Sequence, residues 1–226
     1  MILFDGCSWT WGDELEDKET YRFSQLLSEM TNRDHVNLGQ PGKSNNGILR
    51  TTLEYCERNQ VDIAVIQFTG TSRTEIRIPK QDKYKSLSIG KVLKNRNGND
   101  LSKIYYENIH NENEEISNFH KNKFLLEYYL KSKNIPYYFV NINRNPDKLK
   151  GIEKDVVRSS WYYMMDKEPT QSLVELLGVR NKKYYCQGRR KDSDKRSRGH
   201  PNILGHKVIA EYIYKNFLNK YASVKI

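Results

Sequence analysis

Met1-Ile2-Leu3-Phe4-Asp5-Gly6-Cys7-Ser8-Trp9-Thr10-Trp11-Gly12-Asp13 is a short apolar run that stops abruptly at Gly-Cys-Ser, followed by Thr-Trp-Gly. A strand buried on both faces of a parallel sheet has this pattern, so residues 1–5 are expected to form one. Gly6 and Gly12 bracket a sharp exit, where glycine adopts backbone conformations closed to other residues. The exit lifts Ser8 to the carboxyl end of a strand, where open α/β sheets bind their ligands. Ser8 is therefore a candidate nucleophile, although a serine there also suits a turn or a helix cap.

The rest of the chain alternates in the same style. Tyr21 to Met30 has helical apolar spacing at Phe23, Leu26, Leu27 and Met30, and His35 to Leu38 is a short second strand. Asn46 to Asn59 is expected to be helical. Val61 to Phe68 is the clearest strand, with Ile63-Ala64-Val65-Ile66 unbroken. A helix over Phe119 to Lys133 precedes a fourth strand over Pro136 to Ile142. Ser172 to Leu177 is expected to be helical, Lys183 to Cys186 a fifth strand, and Pro201 to Tyr221 the last helix. Such alternation predicts an α/β fold with a central parallel sheet and helices on both faces, a three-layer sandwich. The 226 residues suit a single domain of this kind. Residues 77–117 and 144–171 break the rhythm and are taken as insertions. The second contains Ser159-Ser160-Trp161-Tyr162-Tyr163-Met164-Met165, which is expected to pack because an exposed run of this kind is a sticky patch.

Near the other end, Gly199-His200-Pro201-Asn202 runs into the apolar spacing Ile203, Val208, Ile209, Tyr212. Proline is favoured in a first helical turn, which places His200 on the loop at the helix entry.

Together these stretches resemble the SGNH (GDSL-like) hydrolases. Gly6-Cys7-Ser8 with Thr10 and Gly12 corresponds to the family's first block, with Cys7 in place of the usual Asp, and His200-Pro201-Asn202 corresponds to the last. Asn37-Leu38-Gly39-Gln40-Pro41-Gly42 corresponds to the second block, with Gly42 as the oxyanion glycine and Asn45 or Asn46 beside it. In the third block, Gly70-Thr71-Ser72-Arg73 puts Ser72 where the family has an oxyanion Asn. The family's triad acid lies three residues before the His, and here that residue is Ser197. The resemblance implies a flavodoxin-like strand order. It also implies a serine esterase or deacylase with Ser8 as nucleophile, His200 as base, and Gly42 and Ser72 at the oxyanion hole. The substrate would be an ester or an acetylated small molecule or glycan. Asp194, Asp192 or a backbone carbonyl would serve His200 in place of the acid. Cys7 is a lesser candidate nucleophile, since cysteine at such a position is usually buried. No cofactor or metal is expected.

Gly42-Lys43-Ser44 also ends a phosphate-loop-like run, but Asn37 stands where that pattern needs its first Gly. The strand Val61–Phe68 also runs into Thr-Gly rather than an Asp for magnesium.

The overall charge of +10 is uneven: residues 1–76 carry −5 and residues 181–226 carry +9. The basic segment 182–198 runs into His200. It is either a solvated loop or an attractor for an anionic substrate or nucleic acid. This leaves an alternative function, a non-catalytic module of the same fold that binds nucleic acid or another polyanion. Tyr184 and Tyr185 would suit base stacking, though buried strand aromatics are the more ordinary reading. Cys7, Cys56 and Cys186 are odd in number and lack metal spacing, so free thiols in a reducing compartment are expected. No apolar run reaches the ~20 residues of a membrane span, and no signal peptide is apparent, so cytoplasmic residence without membrane contact is the expectation. The richness in Lys, Asn and Tyr suggests an AT-rich genome of viral type.

Overall fold

A computed structural model describes residues 1–78, 83–89, 92–95, 97–142, 171–178, 181–186 and 199–221. Its strands are β1 (Ile2–Asp5), β2 (His35–Asn37), β3 (Ile63–Phe68), β4 (Thr74–Ile78), β5 (Lys83–Leu87), β6 (Tyr137–Asn141) and β7 (Gln171–Ser172). Its helices are α1 (Ser8–Trp11), α2 (Lys18–Tyr21), α3 (Phe23–Thr31), α4 (Asn45–Cys56), α5 (Leu101–Asn108), α6 (Glu112–Ser132), α7 (Leu173–Leu177) and α8 (Ile203–Asn216).

Five strands form one parallel sheet in the order β2-β1-β3-β6-β7. Without the separate β4–β5 hairpin, this is the flavodoxin-like order, and its switch point lies between β1 and β3. Side chains alternate across β3, as the two-residue period of a strand requires. Ile63 and Val65 face α3 residues Phe23 and Leu27 and α8 residues Ile209 and Ile213. Ala64, Ile66 and Phe68 face Ile48 of α4 and Phe119, Leu126 and Leu130 of α6. The unbroken apolar run is thus a strand covered on both faces. Each fully buried aliphatic or aromatic side chain contributes roughly 1.5–3 kcal/mol.

Caps set the helix boundaries. The Ser44 hydroxyl accepts from the Gly47 N–H (3.1 Å) and starts α4. Asn111 opens α6, whose first turn carries Glu112, Glu114 and Glu115 at the positive end of the helix dipole.

Several expectations need correction. The fifth strand is Gln171–Ser172, not Lys183–Cys186; Tyr185 instead makes an isolated antiparallel bridge with Pro201. The last helix starts at Ile203, because Asn202 rather than Pro201 sits at its boundary and caps it. Residues 77–117 contribute to the β4–β5 hairpin, all of α5 and the start of α6. Of the second insertion, only Gln171 lies within the described residues, so the cluster Ser159–Met165 falls outside them.

Candidate active site

Ser8 is the first residue of α1, directly beyond the exit from β1. The exit is tight. A Cβ on Gly6 would fall 2.2 Å from Thr10 Oγ1 and 2.9 Å from Gln67 Cβ, so only glycine lets the loop pass. Gln67 comes from β3 and accepts from the Thr10 hydroxyl (2.9 Å) and the Cys7 N–H (3.4 Å). From β2, the Asn37 carboxamide donates to Thr10 O (2.7 Å) and Ser24 Oγ (2.8 Å) and accepts from the Gly39 N–H (2.8 Å). Strands on either side of β1 therefore clamp the loop that carries Ser8. Gly12 closes α1 in the left-handed region (φ 83°), and both Gly12 and Asp13 donate their N–H to Ser8 O.

His200 arrives from the opposite end of the chain. The Tyr185–Pro201 bridge holds it: Cys186 N–H donates to His200 O (2.8 Å), and Asn202 N–H donates to Tyr184 O (2.9 Å). Asn202 then caps α8 through Gly205 N–H (2.9 Å) and reaches back to Lys183 O (2.9 Å). This arrangement brings His200 Nε2 to 2.9 Å from Ser8 Oγ across 192 residues of sequence. Both residues are largely buried, at 5% and 7% exposure. Cys7 is wholly buried, with its Sγ 3.5 Å from Ser8 Oγ.

Two carboxylates flank the imidazole. Glu14 Oε2 lies 3.2 Å from His200 Nδ1 and accepts from the His200 N–H at 3.3 Å. Asp13 Oδ2 lies 3.8 Å from Nε2. The sequence reading singled out neither residue. Their only signal is adjacency, since Gly12-Asp13-Glu14 follows the serine block at once. Asp194 and Asp192 lie outside the described residues, as does segment 187–198; Lys182 and Lys183 are exposed. Tyr185 is buried edge-on to Trp9 (6.0 Å).

The second block forms a turn in which Lys43 N–H donates to Gln40 O (3.1 Å). Pro41 and Gly42 hold its corners, and Gly42 adopts φ 78°, as a Pro-Gly corner of type II requires. Among the described residues, no acceptor takes the N–H of Ser8 or of Gly42. Lys43 turns inward: its Nζ meets Asp5 Oδ1 (2.5 Å) and Leu38 O (2.9 Å) and is not presented to a phosphate. Burial pushes the Asp5 carboxyl above the usual carboxylate range, against the pull of Lys43, the Thr51 hydroxyl and Gly6 N–H.

Asn45 uses both ends of its carboxamide on the Thr69 backbone, donating to O (3.1 Å) and accepting from N–H (2.9 Å). It thereby ties α4 to the end of β3. Asn46 accepts from Asn122 of α6 (2.6 Å). Ser72 is half-buried in the turn after β3, its carbonyl accepting from the Tyr106 hydroxyl (2.5 Å). Among the described residues, no hydrogen bond joins Ser72 to Ser8 or His200.

His206, one turn into α8, has a different role. It is fully buried and stacked on Phe23, and its Nδ1 accepts from Phe23 N–H (3.2 Å). Burial, then the nearby His200 charge, pushes it down to about 3, so it is a neutral strut between α3 and α8. Among the described residues, no cluster of three or more His, Cys, Asp or Glu could hold a metal ion. No helix there is long and apolar enough to cross a membrane.

No protein-family model matches the sequence, and no curated protein does. Solved structures do. The psychrotrophic esterase EstA from Pseudoalteromonas sp. superposes with a TM-score of 0.54 at 13% identity, covering 99% of this chain and 98% of that one. A putative lipolytic protein of the G-D-S-L family from Desulfitobacterium hafniense gives 0.52 at 12% identity, over 95% and 98% of the two chains. TesA gives 0.51 at 12% identity, over 95% and 96%. At these identities the likeness speaks to architecture, and the chain has the α/β fold of the GDSL (SGNH) esterases.

Proposed function

We propose that the protein is an esterase that transfers an acyl group from its substrate to Ser8 and then to water. The observation that carries this reading is the 2.9 Å approach of Ser8 Oγ to His200 Nε2. A serine hydroxyl is a weak nucleophile until a neighbouring base takes its proton, and this distance allows that transfer.

In the first half-reaction Ser8 Oγ attacks the ester carbonyl carbon, and the hydroxyl proton moves to His200 Nε2. The carbonyl electron pair shifts to oxygen, and the N–H groups of Ser8 and Gly42 receive that oxyanion. Collapse breaks the bond to the leaving alkoxide, which takes the proton from His200 and departs as an alcohol. A water then gives its proton to His200 and attacks the acyl-Ser8 carbonyl, releasing the carboxylic acid and restoring Ser8. Donors aimed at a developing oxyanion are each worth about 3–4 kcal/mol in such sites. Ser72 adds a third donor if its hydroxyl turns toward the oxyanion.

The fold it shares with EstA supports the esterase reading, as does the free state of the Ser8 and Gly42 amides among the described residues. The preferred substrate is an ester of a small acyl group, including an acetylated small molecule or glycan. Segment 187–198, on which a polyanion-binding role depends, lies outside the described residues, and the assembled Ser8–His200 pair favours the enzyme.

A fluorophosphonate probe tests the proposal directly. Wild type is expected to be labelled, with Ser8→Ala unlabelled and His200→Ala slowed by about 10³-fold or more. Absence of labelling in folded wild-type protein refutes it.

A further inference from the structure

We infer that Glu14 is the positioning residue for His200, filling the role that Ser197 cannot. The inference rests on the Ser8–His200 reading and deepens it. Three observations carry it.

The first is geometric. Glu14 Oε2 sits 3.2 Å from His200 Nδ1, the ring atom opposite the one that meets Ser8 Oγ. A carboxylate at Nδ1 holds the proton there, leaves Nε2 as the acceptor, and stabilises the imidazolium formed when Ser8 gives up its proton. The second is burial. The Glu14 side chain is 3% exposed, and a carboxylate withdrawn from water is costly unless it meets donors or positive charge. The His200 N–H supplies a donor at 3.3 Å, and the imidazolium supplies the charge during turnover.

The third is backbone conformation. Glu14 adopts φ 74°, which a residue with a Cβ takes up at a cost of about 1–2 kcal/mol. Such conformations persist where the surroundings hold them and gather at functional sites. Here the chain leaves α1 through Gly12, and Asp13 N–H is tied back to Ser8 O (2.9 Å). The left-handed turn at Glu14 then sends its side chain to His200, while its carbonyl accepts from Cys186 Sγ (3.8 Å), the residue whose N–H donates to His200 O (2.8 Å). The nucleophile and the acid therefore come from one short loop, and the base closes on both from the far end of the chain.

Among the described residues, the charged or titratable groups facing the imidazole are Glu14 at Nδ1, Asp13 at 3.8 Å from Nε2, and the neutral His206 of α8. Glu14 is the nearer carboxylate, in ion-pair contact with Nδ1 at 3.2 Å, whereas Asp13 stands 3.8 Å away on the Nε2 side that Ser8 occupies, so the orienting role falls to Glu14.

The test uses the full chain with p-nitrophenyl acetate and the fluorophosphonate probe. Glu14→Gln keeps the shape and removes the charge. It is expected to lower kcat by about 10²-fold with KM within threefold. It is also expected to move the acid limb of the kcat/KM profile about one pH unit lower, because the imidazolium loses its neighbouring negative charge. Glu14→Asp is expected to recover part of kcat, and Asp194→Asn to fall less than Glu14→Gln. Wild-type kcat and an unmoved acid limb in folded Glu14→Gln overturn the assignment alone, provided labelling still requires Ser8 and His200. A larger loss and shift in Asp194→Asn does the same. If Glu14→Gln does not fold, Glu14→Asp decides: reduced kcat at unchanged KM supports the role, and wild-type kcat refutes it. Folded wild type that resists the probe overturns this inference together with the esterase reading.

Discussion

Lys43 Nζ is paired with Asp5 Oδ1 at 2.5 Å, and both side chains are out of water, at 4% and 0% exposure. The pair joins the end of β1, one residue before Gly6, to the turn that presents Gly42. Thr51 and Thr52 of α4 add their hydroxyls to Asp5 Oδ2 at 2.6 and 3.0 Å. The loop that carries Ser8 and the turn that carries Gly42 thus share one buried polar anchor. Breaking half of a buried pair strands the other charge, so Asp5→Leu or Lys43→Met alone is expected to cost about 3–5 kcal/mol. The double variant is expected to recover much of that loss. Urea denaturation of the three variants checks this, and additive losses would contradict it.

Acid should weaken the fold through His206. Its folded pKa is pushed down to about 3, from an ordinary 6.5, by burial and by His200. Between those values the unfolded chain binds a proton that the folded chain refuses. The contribution is fully present above about 6.5 and is lost as pH falls toward about 3, at up to about 1.4 kcal/mol per pH unit. His206→Asn keeps an acceptor for Phe23 N–H and removes the titration. Its denaturation midpoint is expected to change less between pH 7 and pH 4 than that of wild type.

A methyl group at Gly205 should disturb the Ser8–His200 pair from outside it. A Cβ there would lie 2.3 Å from Tyr184 O and 3.0 Å from Pro201 Cβ. Tyr184 O is the acceptor for Asn202 N–H, so the collision pries α8 from the bridge that seats His200. Gly205→Ala is expected to lose about 1–3 kcal/mol of stability and to lower kcat as well. A thermal melt with a parallel rate measurement reads both.

Cys56 should be a poor nucleophile in the folded protein. Burial, then the charges of Asp5 and Glu57, push its thiol up to about 11. Relative to an ordinary thiol near 9, its thiolate fraction at pH 8 falls about 100-fold. Iodoacetamide labelling resolved by mass is expected to be slow at Cys56 until urea is added. Rapid native labelling would contradict the burial of this thiol.

Much of the sheet was legible because burial leaves a local trace. Ile63–Ile66 has to be apolar throughout, since α4 and α6 cover one face and α3 and α8 the other. The β4–β5 hairpin left no such trace. In Thr74–Ile78 and Lys83–Leu87 only Leu87 is buried, and Glu75 is held by Arg50 of α4 at 3.1 Å rather than by a core. Lys183–Cys186 has the paired aromatics of a strand, but what buries Tyr185 is Trp9 and the segment carrying His200. Gly42-Lys43-Ser44 shares its local pattern with a phosphate loop because Gly-Lys-Ser describes a turn and a cap equally well. Only the neighbouring Asp5 decides which way the ammonium points.

By itself the sequence determined the alternation of strands and helices, the parallel sheet, and the two residues, Ser8 and His200, that the fold brings into contact. The alternation and the sheet follow from periodicity and turn residues, which act over a few residues, and the pairing of Ser8 with His200 from the resemblance of their flanking blocks to the SGNH hydrolases. The tertiary structure decided what stands behind His200. Glu14 reaches Nδ1 only because a non-glycine residue takes a left-handed turn beside Ser8, and because a bridge 170 residues further on delivers the imidazole to the same place. No local pattern encodes that meeting, since the packing of the whole sheet sets the distance between two loops so far apart in sequence.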